Sequence, residues 1–187
     1  MTQAIFWLGF SVKGTIVKCA EELVASGFGR DKWDAALKEA GLSPGILILA
    51  TTDVDDAVFI KLLSALCRIL NLSAHELGDA FGDYWVNTYS QKIYGEFYRE
   101  SPDAKSLLLR MDEIHAIMTS TMKNARPPRF RYEWKSDKAL IMHYDSRRGL
   151  VDLLAGLIKG VGRFYREKLV VKVLDPSRVE ITFHGLM

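Results

Sequence analysis

Apolar residues recur at helical spacing through the first half of the chain. This periodicity predicts helices over residues 12–26, 31–40 and 55–70. The capping-box sequence S-x-x-E predicts that a fourth helix covers residues 73–89. The first half of the chain is therefore expected to be mainly helical.

A fifth predicted helix carries a histidine within its apolar stripe. Ser101 is a suitable N-cap for this helix, and Pro102 suits its first turn. The stripe consists of positions three or four residues apart: Leu108, Met111, His115, Met118 and Met122. Pro127 and Pro128 end the helical pattern, because proline disfavours the helical conformation in the residue before it. His115 is therefore predicted to face the protein interior.

The second half of the chain has the alternation typical of strands. Residues 130–134 alternate between aromatic and charged side chains, and residues 139–144 predict a second strand. Residues 149–166 predict a helix, and residues 168–174 and 178–184 a final hairpin. Three glycines are expected to let this helix pack closely: Gly156, Gly160 and Gly162. This order predicts an α+β domain in which helices pack on a four-stranded antiparallel sheet with one inserted helix.

Composition narrows the classes of protein. The chain has 187 residues, 49% of them hydrophobic, which is enough for a single domain with a sizeable core. The net charge is only +2, and no strongly basic patch in the sequence indicates that the protein binds nucleic acid. Cys19 and Cys67 lie far apart and form no CxxC pair, which argues against a disulfide framework or a zinc site. Reduced cysteines favour a cytoplasmic location.

The sequence also argues against a membrane protein. No stretch reaches the roughly 18 apolar residues that a membrane-spanning helix requires. Residues 1–10 are apolar but lack the basic start and the cleavage site of a signal peptide. We expect residues 1–11 to be an N-terminal extension, in which residues 1–10 are either an extra strand or coil or the result of a misassigned start. Residues 12–187 are then expected to form one domain.

His115 is the strongest candidate for chemistry. A neutral imidazole on an apolar wall can be an axial ligand of haem iron. A single helical histidine, taken alone, is more often a hydrogen-bonded residue of the core or its boundary. The methionines on its stripe are likewise more often core residues than cofactor contacts.

A second candidate follows about thirty residues later. If the backbone is extended there, Tyr144, Ser146 and Arg148 face the same side of the chain. Two hydroxyls and a guanidinium are suitable donors for carboxylates. The alternative is the solvated end of a strand with a salt bridge. No phosphate-binding loop, nucleophile elbow or dinucleotide fingerprint occurs in the sequence.

The chain resembles the H-NOX domain, the haem nitric oxide/oxygen binding domain of bacterial sensors and of soluble guanylate cyclase. The resemblance covers about residues 12–185. Five segments carry it: Val12-Lys13-Gly14-Thr15-Ile16-Val17, Phe81-Gly82-Asp83-Tyr84-Trp85, Met111-Asp112-Glu113-Ile114-His115, Arg126-Pro127-Pro128 and Tyr144-Asp145-Ser146-Arg147-Arg148. A histidine followed at this separation by Y-x-S-x-R is the most specific feature. The resemblance implies that haem b lies between the helical part and the sheet.

The resemblance also implies roles for single residues. His115 is expected to be the proximal ligand of the haem iron. Tyr144, Ser146 and Arg148 are expected to bind the haem propionates. Pro128 is expected to press on the porphyrin.

Ile16, on the distal side, and Met111 are also expected to contact the haem. Oxygen-binding members of the family carry a tyrosine nine residues after the motif tyrosine, where this chain has Leu153. Iron-bound oxygen needs a hydrogen-bond donor, whereas nitric oxide binds ferrous haem well without one. Leu153 therefore indicates a nitric oxide sensor. Trp85 can also line the distal side and donate its indole N–H, which leaves oxygen binding open.

We therefore expect a haem-based sensor rather than an enzyme. The resemblance implies that it binds nitric oxide, and also CO, at ferrous haem. Nitric oxide is then expected to weaken the bond between iron and His115, and the helix of His115 is expected to shift. The family suggests a partner in trans, either a histidine kinase or a cyclic-di-GMP enzyme. The alternatives are an oxygen-binding haem sensor, a peroxidase-type haem enzyme, for which no distal acid–base group is evident, and a domain that binds a protein but no haem.

Overall fold

Helices precede a small antiparallel sheet along the chain. The computed structural model describes residues 11–186, so the expectation for residues 1–10 lies outside the described residues. The elements, in chain order, are β1 (Ser11–Lys13), α1 (Gly14–Gly27), α2 (Arg30–Glu39), β2 (Asp53–Asp55), α3 (Asp56–Leu70), α4 (Ala74–Tyr84), a π-helical turn (Trp85–Tyr89), α5 (Gln91–Arg99), α6 (Ala104–Thr121), β3 (Arg129–Ser136), β4 (Ala139–Asp145), α7 (Val151–Tyr165), β5 (Glu167–Asp175) and β6 (Arg178–Leu186).

The main sheet confirms the predicted fold class. Its strands lie in the order β3-β4-β6-β5, all antiparallel, and α7 is inserted between β4 and β5. In the central strand β4, Leu140 and Met142 are buried, and they lie opposite Ile181 and Val179 of β6. These pairs give the sheet an apolar face on which α6 and α7 can pack.

Two short strands occur where the sequence predicted the starts of helices. β1 pairs with β2, and Ser11, which was expected in the N-terminal extension, lies opposite Asp55. Three-residue strands are too short to give a period-two pattern. Asp55 ends β2 and caps α3, because its carboxylate accepts hydrogen bonds from the backbone N–H groups of Ala57 and Val58.

The predicted start of the His115 helix is wrong. Asp103, not Ser101, is the N-cap of α6, and its carboxylate accepts from the Ser106 N–H at 2.6 Å. Ser101 does not cap the helix, because its hydroxyl donates to the Phe97 carbonyl and accepts from Arg110.

The predicted helix over residues 73–89 is only partly right. The Ser73 capping box is present, but the α-helix ends at Tyr84 and continues as the π-helical turn. The sequence did not predict α5 at all.

Glycines set the distance between α4 and α7. A Cβ atom built on Gly156 would lie 1.9 Å from the Gly78 carbonyl oxygen, and one on Gly82 would lie 2.1 Å from the Gly156 carbonyl carbon. The two backbones are therefore in direct contact, which confirms the close packing predicted for Gly156. Gly160 also meets Gly82 across this contact, while Gly162 packs against β5.

The core has two parts. One lies among α1 to α4 and is centred on buried residues such as Trp33, Phe59 and Leu62. The other lies between α6, α7 and the sheet and includes Leu108 and Met142. Within residues 11–186, no single helix is long and apolar enough to cross a membrane. In this range only α3 together with residues 74–89 reaches the required length and apolar composition, and this pair is bent by 105°.

Candidate functional site

A cavity of about 280 Å³ lies between the two parts of the core. Its walls combine Phe59 and Phe81 from the helical part with Leu108 and Met142 from the sheet side. Native interiors contain few voids larger than a water molecule. A mostly apolar cavity of this size is typical of a site for a small molecule or a cofactor.

His115 is the one histidine on this wall among the described residues. All five members of its predicted stripe line the cavity: Leu108, Met111, His115, Met118 and Met122. The helical spacing therefore predicted the face of α6 correctly. The His115 and Phe130 rings pack with their centroids 5.2 Å apart.

The protonation of His115 follows from its hydrogen bond. Its Nδ1 lies 2.7 Å from the Pro128 carbonyl oxygen. A carbonyl can only accept, so Nδ1 carries the proton and donates it. Burial lowers the pKa of His115 below its usual value, although Asp112 and the Pro128 bond oppose this shift. The ring is thus favoured in its neutral form, with a free lone pair on Nε2.

Asp112, one turn before His115, binds the same backbone segment. Its two carboxylate oxygens accept from Arg129 at 2.7 and 2.6 Å, and one of them also accepts from the Phe130 N–H at 2.7 Å. The Arg129 guanidinium lowers the pKa of Asp112 from 3.8 to about 2. Residues 112, 115 and 128–130 are called the α6–β3 junction below.

Arg148 lies at another part of the cavity wall, but not for the predicted reason. Strand β4 ends at Asp145 and Arg148 lies in a turn, so the expected alternation of sides does not hold. Its guanidinium donates to the Asp56 carboxylate at 2.9 Å and to the carbonyls of Arg126 and Ser11. The side chains of Arg148 and Asp56 are only 10% and 17% exposed. Three of the five N–H donors of Arg148 are thus engaged within the protein.

The other two members of the predicted triplet differ from each other. Tyr144 is buried and lines the cavity, where its ring lies 6.3 Å from that of Phe130. Ser146 is not among the residues of the cavity wall, and its hydroxyl accepts from the Arg148 N–H. The turn after Asp145 separates Ser146 from its predicted neighbours.

The helical side supplies most of the remaining predicted residues. Ile16, Trp85 and Leu153 line the cavity from α1, the π-helical turn and α7, and Pro128 lines it from the loop before β3. Trp85 stacks between Phe81 and Tyr89 at centroid distances of 6.0 and 5.7 Å. Single π-helical turns occur often at functional sites.

Sequence reasoning missed several polar residues of the site. Tyr94 and Thr15 both line the cavity, and burial raises the pKa of the Tyr94 hydroxyl. No local motif places these two residues at one site, because they lie on different helices. Asp112 could have been identified from the sequence, since it is three residues before His115 and lies on the same face of the helix. Among the described residues no cluster of His, Cys, Asp or Glu could hold a bare metal ion.

The chain is similar in sequence to proteins of one family. Residues 13–173 match the family model described as Haem-NO-binding. The soluble guanylate cyclase gcy-35 of Caenorhabditis elegans is 24% identical over 167 residues, which are 87% of this chain and 24% of that protein. The soluble guanylate cyclase gcy-32 of the same organism is 27% identical over 155 residues, or 80% of this chain and 22% of that protein. The chain thus spans about a quarter of the length of these relatives.

Solved structures share the fold over nearly the whole chain. A crystal structure of an oxygen-binding H-NOX domain in its oxygen complex is 26% identical, with a TM-score of 0.76, and covers 94% of this chain and 96% of its own. An H-NOX protein from S. oneidensis in the Fe(II)NO state has a TM-score of 0.83 at 16% identity, covering 93% and 100%. The latter likeness concerns the fold alone. Because the family model matches most of its length, the chain belongs to the haem-NO-binding, or H-NOX, family.

Proposed function

We propose that this domain binds haem b through His115 and senses nitric oxide. The observation that carries the proposal is the state of His115, which presents a neutral ring to an apolar cavity while its Nδ1–H donates to Pro128. Histidines that bind metals commonly donate their second ring nitrogen to a carbonyl or carboxylate, which fixes the tautomer and the ring orientation. The ring is therefore prepared to offer Nε2 to haem iron.

Ferrous haem would supply an open coordination position at which a diatomic gas binds. Apolar side chains from both parts of the core would enclose its macrocycle. We assign Ile16, Met111 and Pro128 to this contact, because all three lie on the cavity wall. Such a wall keeps water from the iron and gives the bound group a low-dielectric environment.

The haem carboxylates would meet Arg148 and Tyr144. Two N–H donors of Arg148 remain after its three bonds within the protein, and Tyr144 adds a hydroxyl. The bond to Asp56 offsets part of the positive charge and also fixes the guanidinium in place. Ser146 would help to hold the turn that carries Arg148, because its hydroxyl accepts from the Arg148 backbone N–H.

The choice of gas rests on Leu153. This residue brings an alkyl group to the cavity wall, so it has no hydroxyl with which to hold a polar iron–oxygen unit. Nitric oxide and CO do not depend on such a donor. We therefore propose nitric oxide as the main ligand, with CO also bound.

Oxygen binding is the second candidate function. Trp85 and Tyr94 both line the cavity and are adjacent, with ring centroids 6.3 Å apart. An indole N–H or a phenol from these residues is a possible donor for bound oxygen. The 26% identity to an oxygen-binding H-NOX domain also supports this second candidate.

We further propose that the domain signals to a partner enzyme in trans, in the cytoplasm, and has no catalytic activity of its own. A histidine kinase or a cyclic-di-GMP enzyme is the proposed partner class. A change in how His115 is held would reach the sheet through the α6–β3 junction, because Pro128 directly precedes β3.

Absorption spectra of the purified protein test the proposed function. The protein is reconstituted with haem, reduced without oxygen and exposed in turn to nitric oxide, CO and air. We expect a Soret band that shifts with nitric oxide and with CO but shows no oxygen complex in air. Absence of the Soret band would refute haem binding, and a persistent oxygen complex would assign the domain to the oxygen binders.

A further inference from the structure

The α6–β3 junction has three attachments between one face of α6 and three consecutive residues. His115 donates to the Pro128 carbonyl, the Arg129 side chain binds Asp112 through two nitrogens, and the Phe130 N–H donates to Asp112. Their donor–acceptor distances, 2.6 to 2.7 Å, are short. Asp112 therefore fixes the peptide segment that accepts the hydrogen bond of His115.

We infer that Asp112 is a positioning residue for the imidazole of His115. The inference rests on the proposed function, in which His115 binds haem iron. Asp112 acts through the backbone, because it holds residues 129 and 130 and thereby places the Pro128 carbonyl against Nδ1. It sets both the rotation of the ring and the strength of the Nδ1 hydrogen bond, on which the basicity of Nε2 depends.

The geometry favours Asp112 over the other candidates for this role. A bidentate pair between arginine and carboxylate is directional, so it resists rotation as well as separation. The added Phe130 N–H bond ties the carboxylate to the backbone rather than to a flexible side chain alone. Glu113, the next residue of α6, is exposed and lies outside the junction.

Two variants separate positioning from a simple effect of charge. Asp112→Asn removes a negative charge near His115, whereas Arg129→Gln removes a positive one. If the junction positions the ring, both changes loosen Pro128 and weaken the Nδ1 bond. If only the electric field matters, the two changes act on the ring in opposite directions.

The first measurement is the iron–histidine stretching frequency of the ferrous haem protein, obtained by resonance Raman spectroscopy. We expect a lower frequency in both Asp112→Asn and Arg129→Gln, because each variant loses at least one bond of the bidentate pair that holds residue 129. Glu113→Gln is the control and should match the wild type. Shifts of opposite sign in the first two variants, or frequencies equal to that of the control, would overturn the inference.

The second measurement uses the haem-free protein, so it does not depend on haem binding. Nitrogen-15 NMR of the histidine rings reports the exchange of the His115 Nδ1 proton with water. We expect exchange to be up to roughly tenfold faster in Asp112→Asn, the factor that corresponds to losing the net contribution of about one hydrogen bond. Unchanged exchange would contradict the inference even if the wild type binds haem. Faster exchange in a protein that takes up no haem would support the positioning role while the proposed function fails.

Discussion

Replacing Gly156 with alanine should destabilise the domain by forcing α4 and α7 apart. The added Cβ would meet the Gly78 carbonyl oxygen at 1.9 Å and the Asp79 nitrogen at 2.8 Å. Ordinary contact begins near 3.4 Å, so the helices must separate by about 1.5 Å, since backbone atoms in a packed interior cannot give way locally. Overpacking of this kind typically costs about 1–3 kcal/mol, and the backbone contact places it at the upper end.

Two effects oppose each other in this variant. Alanine favours the helix over glycine by up to about 1 kcal/mol. The net loss of unfolding free energy is then roughly 2 kcal/mol, which corresponds to a fall of about 1 M in the urea midpoint for an m-value near 2 kcal/mol/M. The separation would also widen the cavity between Trp85 and Leu153, because the π-helical turn that carries Trp85 follows α4 directly and α7 carries Leu153.

Urea unfolding of the haem-free protein, followed by circular dichroism, measures this loss. Gly27→Ala is the matched control, because a Cβ at the last residue of α1 would meet nothing within 4 Å. The control should be at least as stable as the wild type. A Gly156→Ala protein as stable as the control would show that the α4–α7 contact is not as rigid as we argue.

Three further predictions concern the site. Arg148→Ala should release haem roughly ten to a hundred times faster than Arg147→Ala, since a charge-assisted hydrogen bond contributes about 1.5–3 kcal/mol; equal release rates would exclude Arg148 as the carboxylate ligand. Leu153→Tyr should create an oxygen complex in air, visible in the absorption spectrum, and a spectrum unchanged from that of the wild type would remove Leu153 from the gas-selective site. The lowered pKa of Asp112 means that its charge stabilises the fold above pH 3.8 and that this contribution disappears as the pH falls towards 2. The difference in unfolding free energy between the wild type and Asp112→Asn should therefore shrink across this window, and a constant difference would contradict the role of the Arg129 pair.

The features predicted correctly from the sequence are those that follow from a regular spacing of apolar residues. The apolar stripe on α6 placed His115 and its methionines on one wall, and every one of them lines the cavity. The sheet and its inserted helix followed from alternation and turn residues. The glycines of α7 predicted that this helix packs closely, but the sequence did not predict that α4 is the helix it contacts.

Contacts between distant segments were beyond sequence reasoning. The Asp56–Arg148 pair joins residues 92 positions apart, and no local pattern indicates it. The turn after Asp145 broke the alternation on which the prediction for Ser146 rested. In the π-helical turn each backbone hydrogen bond spans five residues instead of four, and the spacing of apolar residues does not reveal this change.

The central claim is that His115 holds the cofactor. Its most direct test is haem binding by His115→Ala, with His143→Ala as the control, because His143 bonds Glu133 and is not part of the cavity wall. We predict that His115→Ala does not retain haem in buffer, that added imidazole restores a ferrous Soret band, and that His143→Ala behaves like the wild type. A His115→Ala protein with the ferrous spectrum of the wild type would contradict the account.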